Sequence, residues 1–224
     1  MTSITMPRSP PTLCTRHTLA TMRPLLLVVE GVNDVEFLRR ISRMLHRSDS
    51  TLPDLGVLEQ DGRLVFIPFG GGNVAAWVNR LEPLGCREFH IYDREVGVET
   101  RHRISAARRV NARPSCRAFV MAKRSLENYL HPKALATATG IELQFGDNDP
   151  VAELVAKKRF TGEEPFVEWD HLPRRARKRF ANQTKCWLNT RVVEAMTPEL
   201  LRDRDRDPQG EVITWMQAIA DMTR

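Results

Sequence analysis

Leu25-Leu26-Leu27-Val28-Val29-Glu30-Gly31-Val32-Asn33-Asp34-Val35-Glu36-Phe37-Leu38 is the stretch that decides the fold. Its five leading apolar residues form a short continuous run, the pattern of a strand buried on both faces. A helical period follows at once. Val35, Leu38, Ile41, Ser42 and Leu45 recur at three- and four-residue spacing, with Arg39, Arg40 and Arg43 on the opposite side. The same unit then repeats. Leu64-Val65-Phe66-Ile67 reads as a strand, Gly70-Gly71-Gly72-Asn73 as a tight turn, and Val74–Leu84 as an amphipathic helix carrying Trp77, Val78 and Leu81. A third copy runs through Phe89-His90-Ile91-Tyr92 into Asp93 and on to a helix around Arg101–Val110, and Arg117–Met121 makes a fourth strand. Strands and helices alternating at these lengths imply an α/β domain: a parallel sheet with helices on both faces.

The flanks differ from this core. Residues 1–22 are rich in Pro, Ser and Thr without a period and are expected to be a flexible leader, with Met22 an alternative start. The α/β domain is assigned to residues 23–135. After Ala136 the strand signals fade, and Val151–Lys158, Arg174–Ala181, Thr190–Ala195 and Val212–Asp221 read as helices separated by Gly- and Pro-containing turns. Residues 136–224 are therefore expected to be a helical C-terminal extension packed against the sheet.

Composition sets outer limits on function. The chain has 224 residues, 42% hydrophobic and 28% charged, enough apolar material for a core and too much for wholesale disorder. With 34 Lys+Arg against 28 Asp+Glu, the net charge is 34 − 28 = +6, which permits nucleic-acid binding without demanding it. The run Leu25–Val29 is far short of the roughly 20 apolar residues of a membrane span, and residues 1–22 lack the apolar stretch of a secretory signal. Cytoplasm is the expected compartment. Cys14, Cys86, Cys116 and Cys186 have no CxxC spacing, which argues against a zinc knuckle or a disulfide framework.

In a parallel α/β sheet, ligands gather at the carboxyl ends of the strands. Here those ends are acidic. Glu30 follows the first strand, Asp34 lies one helical turn on, Asp93 and Glu95 follow the third strand, and Glu127 follows the fourth. Converging carboxylates repel unless a positive charge sits among them, and a divalent metal is the simplest solution. Oxygen donors without His or Cys favour Mg²⁺ or Mn²⁺ over zinc. Four of the five have a plainer alternative: Glu30 and Asp34 as helix-start residues, Glu95 as a solvated loop acid, Glu127 as a first-turn acid behind Ser125; Asp93, at a strand terminus, is harder to dismiss. The joint spacing favours the metal.

These residues resemble a known family. Leu27–Leu38 is similar to the first motif of the Toprim domain shared by topoisomerases, primases and OLD-type nucleases, in which a Glu closes the first strand and Asp-x-Asp follows the third. Ile91-Tyr92-Asp93-Arg94-Glu95 is similar to the second motif, with Glu for the last Asp, which keeps the charge and lengthens the arm. Asp34, the Pro68–Asn73 glycine turn and Lys123-Arg124-Ser125-Leu126-Glu127-Asn128-Tyr129-Leu130 bring it nearest to the OLD-family endonuclease Toprim domain, over residues 24–132. The resemblance implies a Toprim-like parallel sheet and a cluster of Mg²⁺ (or Mn²⁺), two ions held by Glu30, Asp34, Asp93, Glu95 and Glu127. It implies phosphodiester cleavage in nucleic acid, DNA or RNA, in a phage-defence or DNA-processing system, with Glu30 relaying a proton as general base. OLD-type proteins carry an ABC-type ATPase on the same chain. No GxxxxGK[ST] occurs here, so a separate ATPase subunit is the expected partner, and a homo-oligomer is compatible with the sequence.

Cleavage also needs a cation to stabilise charge at the phosphate. Lys185, read as lying between helices in the extension, is the first candidate and Lys123, just after the fourth strand, the second. Arg174, Arg175, Arg177, Lys178 and Arg179 form the densest basic run and are the expected phosphate-backbone contacts, with Arg108 and Arg109 adding to them. Gly71, Gly72 and Asn73 are candidates for cradling a phosphate, or serve the turn alone. Trp77, Trp169, Trp187 and Trp215 are expected in the core. Two other functions stay open: a primase-like nucleotidyl transferase, and a non-catalytic Toprim module that binds nucleic acid or regulates.

Overall fold

In a computed structural model of the chain, residues 23–164 and 167–224 are described; the leader expected at 1–22, with Cys14, lies outside them. The elements run β1 (Leu25–Val29), α1 (Val32–Ser48), α2 (Leu55–Gln60), β2 (Leu64–Pro68), β3 (Arg87–Tyr92), α3 (Val98–Asn111), β4 (Cys116–Val120), α4 (Pro132–Thr139), α5 (Val151–Glu163), α6 (Arg174–Thr190), α7 (Pro198–Leu201) and α8 (Glu211–Thr223). The four strands form one parallel sheet in the order β2-β1-β3-β4. This is the parallel α/β arrangement expected from the sequence. β1 is flanked on both sides, with Val28 in register with Ile67 of β2 and His90 of β3. That explains its unbroken apolar run, since a strand with helices over both faces has no side turned to water.

Side chains alternate across the sheet and divide the core in two. Leu25, Leu27 and Val29 join Phe89 and Ile91 on one face, packed with Phe37, Leu38 and Ile41 of α1, Leu188 of α6 and Trp215 and Ile219 of α8. The C-terminal helices thus share one apolar core with the sheet. Val28 and Tyr92 face the other way, onto Ala106, Ala107 and Val110 of α3 and onto Phe69, Val74 and Val78. On that second face β3 carries polar groups that are buried but paired. Arg113 donates to both carboxylate oxygens of Glu88 at 2.9 and 2.7 Å, Glu88 bonds the His90 ring at 2.8 Å, and His90 bonds the Tyr92 hydroxyl at 2.8 Å. A chain satisfied in this way makes polar residues tolerable in a buried strand.

Three expectations need correction. Val74–Leu84 is not a helix: it forms two 3-10 turns, Val74–Ala76 and Glu82–Leu84. Pro83 disfavours helical geometry at Glu82, and the left-handed Gly85 (φ 58°) ends the second turn. Apolar periodicity in this stretch instead reflects Trp77 packing on Phe69 (6.2 Å between centroids) with Arg80 over its ring at 4.7 Å. Arg174–Ala181 continues without a break to Thr190, so Lys185 lies within α6 and not between helices; the polar Asn182-Gln183-Thr184 sequence does not interrupt it. Thr190–Ala195 is the end of α6 and a 3-10 turn over Val192–Ala195, where β-branched Val192 and Val193 weaken helix propagation. Three helices went unread in the sequence: α2, whose start is capped by Asp54 accepting from the Gly56 and Val57 amides, α4, capped by His131, and the short α7, capped by Thr197.

Candidate metal centre

The strand ends do converge. After β1, Gly70 N–H donates to the Glu30 carbonyl at 2.8 Å, so the loop following β2 folds back over Glu30. Gly70, Gly71 and Gly72 all have positive φ (82°, 73° and 78°), and a side chain at Gly71 would begin 3.2 Å from Glu30 Oε1. The glycine run is therefore needed for close approach to a candidate ligand, while Gly72 and Asn73 face solvent. Asp34 sits at the third position of α1, where its Oδ2 accepts the Gly31 N–H at 2.8 Å, and its side chain is buried. The helix-start role weighed for Asp34 is thus real, and it leaves Oδ1 free of hydrogen bonds. Asp93 directly follows β3 and is 3% exposed, and Glu95, two residues on, has a left-handed backbone (φ 54°) uncommon outside glycine.

Among the described residues, ligand atoms of Glu30, Asp93 and Glu95 lie within 4.8 Å of one another, the only such group of three acidic or His/Cys side chains. Asp93 Oδ1 is buried without a hydrogen-bond partner, and Glu30 Oε2 meets Arg103 Nη2 at 3.3 Å without hydrogen-bond alignment. Orphaned buried carboxylate oxygens are costly unless a cation completes them. The donor set is all oxygen, so the group that fits is a hard divalent ion such as Mg²⁺ or Mn²⁺. Burial, and then the neighbouring Asp34 charge, push the Asp93 carboxyl well above the usual range, whereas burial raises Asp34 to about 6 against the opposing pull of Lys185. Glu95 is also raised, by burial and the nearby Glu30 charge. These are the shifts of acids buried close together.

Glu127 belongs to the same neighbourhood but is differently served. It lies in a 3-10 turn, Leu126–Tyr129, after β4. Its Oε2 accepts from Ser125 Oγ at 2.7 Å, and its Oε1 accepts from Asn189 Nδ2 at 2.5 Å and lies 3.6 Å from Lys185 Nζ. Lys185 Nζ is also 3.7 Å from Asp34 Oδ1. Burial alone would lower the Lys185 pKa, but the charges of Glu127, Asp34, Asp93 and Glu30 outweigh it and hold the group firmly as an ammonium. The first-choice lysine is therefore placed among the acids. Lys123 is not; its ammonium pairs with Asp147 and lies over the Tyr129 ring at 5.4 Å.

Two participants were not singled out from the sequence. Arg103 is 3% exposed, and its Nη2 faces Glu30, Glu95 (3.8 Å) and Glu99 (3.9 Å). The signal was available: Arg103 shares an i, i+3, i+4, i+7 stripe with Ala106, Ala107 and Val110, and an arginine on the apolar face of a helix needs a buried anion. Asn189, fully buried four residues after Lys185, orients Glu127. The basic run opens α6, with Arg174, Arg175, Lys178 and Arg179 exposed and Arg177 half-buried, 3.8 Å from Asp170. Of the tryptophans, Trp169 and Trp215 are in the core, while Trp77 and Trp187 are partly covered. Cys86, Cys116 and Cys186 are free thiols, and no described helix is long and apolar enough to cross a membrane.

No family model matches the chain, and no curated protein does. Among solved structures, it resembles the C-terminal region of the Xanthomonas campestris pv. campestris OLD protein. One such structure is 13% identical with a TM-score of 0.48, covering 88% of this chain and 95% of that one. A second is 12% identical with a TM-score of 0.46, covering 88% and 94%.

Proposed function

We propose that this chain is a Mg²⁺- or Mn²⁺-dependent endonuclease that hydrolyses phosphodiester bonds in DNA or RNA. The observation that carries the reading is the meeting of Glu30, Asp93 and Glu95 at the carboxyl ends of β1 and β3, with buried oxygens unsatisfied and cationic groups beside them. Glu30, Asp93 and Glu95 would hold the ion. When bound, a divalent ion lowers the pKa of an attacking water and neutralises charge on the phosphate. The remaining work falls to the side chains. Glu30 Oε1, on the side of the glycine loop, is positioned to accept a proton from the attacking water. Lys185 presents a fixed ammonium that stabilises the charge growing on the phosphoryl oxygens. Arg103 holds the Glu30 and Glu95 carboxylates in place from behind.

α6 links the centre to the nucleic-acid surface. At 3.6 residues per turn, Arg174, Lys178 and Lys185 fall on one face of the helix, within a sector of about 40°. A backbone lying along that face would be led toward the acids, by contacts that read no sequence. A separate ATPase subunit and a role in phage defence or DNA processing complete the proposal, as in the family the motifs resemble. Nicking of supercoiled plasmid in Mg²⁺ or Mn²⁺ tests it: the wild type is expected to nick, and Glu30→Ala to lose at least about 100-fold in rate. Cleavage that persists in Glu30→Ala removes the site. Incorporation of labelled nucleoside triphosphates on a primed template would instead favour nucleotidyl transfer.

A further inference from the structure

Two residues beyond Lys185 on α6, Trp187 is turned about 200° around the helix, away from the acids. Part of its indole packs against the main core, and the rest lines a cavity of about 670 Å³ between the end of α4, the last turns of α5 and α6. That size falls within the range of about 300–1,000 Å³ usual for small-molecule sites. The walls differ in chemistry. Arg159 of α5 places its guanidinium 5.5 Å from the centre of the Trp187 ring and donates from Nε to Glu163 at 2.7 Å, which fixes it there. Lys158 lines the same space; Lys157 pairs with Asp170 and Arg159 with Glu163, whereas Lys158 makes no ion pair among the described residues. Glu142, from the segment after α4, adds an exposed carboxylate. Gly140 and Gly162 keep the space open, since a side chain begun at either would meet nothing within 4 Å.

We propose that this cavity is a nucleotide-binding site, separate from the acidic centre. A ligand that uses all of its groups carries a planar ring, an anionic group and an edge of N–H donors, and a nucleotide has all of them. The base stacks on the Arg159–Trp187 pair, because a guanidinium plane and an indole both take a flat ring. The phosphate meets the uncommitted Lys158 ammonium, and Glu142 accepts from the N–H groups of the base. Glu163 already holds Arg159 in place, so little side-chain ordering is left for the ligand to impose. A free nucleotide and an unpaired nucleotide of a strand offer this same chemistry. Because α6 stands between the cavity and the acids, the occupant is not the phosphate under attack, and the proposal does not depend on the metal-dependent reading.

Calorimetric titration of the full chain with AMP, in chelator, tests the site without metal. AMP is expected to bind with a Kd below about 1 mM. Adenosine and inorganic phosphate, each lacking one half of the ligand, should bind at least about tenfold more weakly. Arg159→Ala and Lys158→Gln should each weaken AMP by about tenfold, while Lys157→Gln, which removes the same charge one residue away from a side chain paired with Asp170, leaves it unchanged. Arg159 and Lys158 are exposed, so both variants should fold, and circular dichroism and melting verify it. A short 5′-phosphorylated oligoadenylate single strand then separates the two sources: if it displaces AMP the site takes a nucleotide of a strand, and if it does not the site takes a free nucleotide. No binding of AMP up to about 1 mM overturns the proposal. So does inorganic phosphate binding as tightly as AMP, or AMP affinity within about twofold of wild type in both folded Arg159→Ala and Lys158→Gln. None of these results bears on whether Glu30→Ala abolishes nicking.

Discussion

Arg103 Nη2 lies 3.3 Å from Glu30 Oε2, joining the buried face of α3 to the residue that directly follows β1. The same nitrogen faces Glu95 at 3.8 Å, so one guanidinium neutralises two of the three carboxylates that converge on the candidate metal site. Removing it would leave those carboxylates facing each other. Breaking a fully buried ion pair costs about 3–5 kcal/mol; Glu30 and Glu95 retain 21% and 28% side-chain exposure, which brings the expected loss for Arg103→Met nearer about 2 kcal/mol in the absence of metal. Mn²⁺ would replace the missing charge. Urea unfolding with chelator and with Mn²⁺ checks this: the variant's deficit should shrink when the ion is present. An equal deficit in both would mean that Arg103 serves packing alone.

Asp34 gives the metal-free protein a pH dependence. Burial, against the opposing pull of Lys185, raises its pKa in the folded protein from 3.8 to about 6. An acid whose folded pKa is raised stabilises the fold below its unfolded pKa, and this contribution is lost as pH rises through the folded value. A shift of about two units corresponds to about 3 kcal/mol lost between pH 4 and pH 7. Asp34→Asn keeps an oxygen for the Gly31 amide and cannot ionise. In chelator it should therefore match the wild type near pH 4 and exceed it by about 2–3 kcal/mol at pH 8. Denaturation midpoints across that range decide it, and parallel curves for the two proteins would show that the Asp34 carboxyl is not held in this way.

How much of this was legible in the sequence follows from which signals are local. The β1 run and the periodicity of α1 set the parallel sheet, because a strand covered on both faces and a helix with one apolar stripe are both written in consecutive residues. Glu30, Asp93 and Glu95 were legible for a related reason: the carboxyl end of a parallel strand is a place the sequence itself marks. What did not show was pairing across the fold. Asn189 reaches Glu127 over sixty-two positions, and Arg103 reaches Glu30 over more than seventy, with nothing in the spacing to connect them. The stretch from Val74 to Leu84 misled because its apolar residues are spaced like a helix yet serve a coil, with Val74 and Val78 buried under α3 and Pro83 ending any helical continuation. Lys185 was found for its charge and misplaced in its element, since a polar Asn-Gln-Thr sequence inside a long helix looks like a gap.

The two glycines of the β2 loop separate strain from crowding. Gly71 has φ 73°, and a side chain there would meet Glu30 Oε1 at 3.2 Å; Gly72 has φ 78° and nothing within 4 Å. Gly71→Ala and Gly72→Ala should therefore each cost about 1–2 kcal/mol through left-handed backbone strain. Gly71→Ala alone must also push Glu30. It is expected to weaken Mn²⁺ binding by about tenfold, the size of effect seen when a ligand loses its supporting contact, while Gly72→Ala binds as the wild type. Calorimetric titration of the two variants side by side makes the comparison, and equal affinities would dissociate the glycine loop from the metal site.

The exposed face of α6 predicts a salt dependence. Arg174 and Lys178 lie on the Lys185 side of the helix, whereas Arg175 and Arg179 are turned from it by about 80–120°, and Arg177 is partly spent on Asp170 at 3.8 Å. If nucleic acid follows the face that ends at Lys185, Arg174→Gln with Lys178→Gln should flatten the slope of log K against log salt by about 1.8 on duplex DNA, nearly one per lost phosphate contact. Arg175→Gln with Arg179→Gln should change it less. The loss should be uniform across sequences, because phosphate contacts carry no base information. Fluorescence anisotropy at several salt concentrations, on two unrelated duplexes, measures both. Equal slopes for the two double variants would mean that α6 attracts the backbone by overall charge and does not guide it toward Lys185.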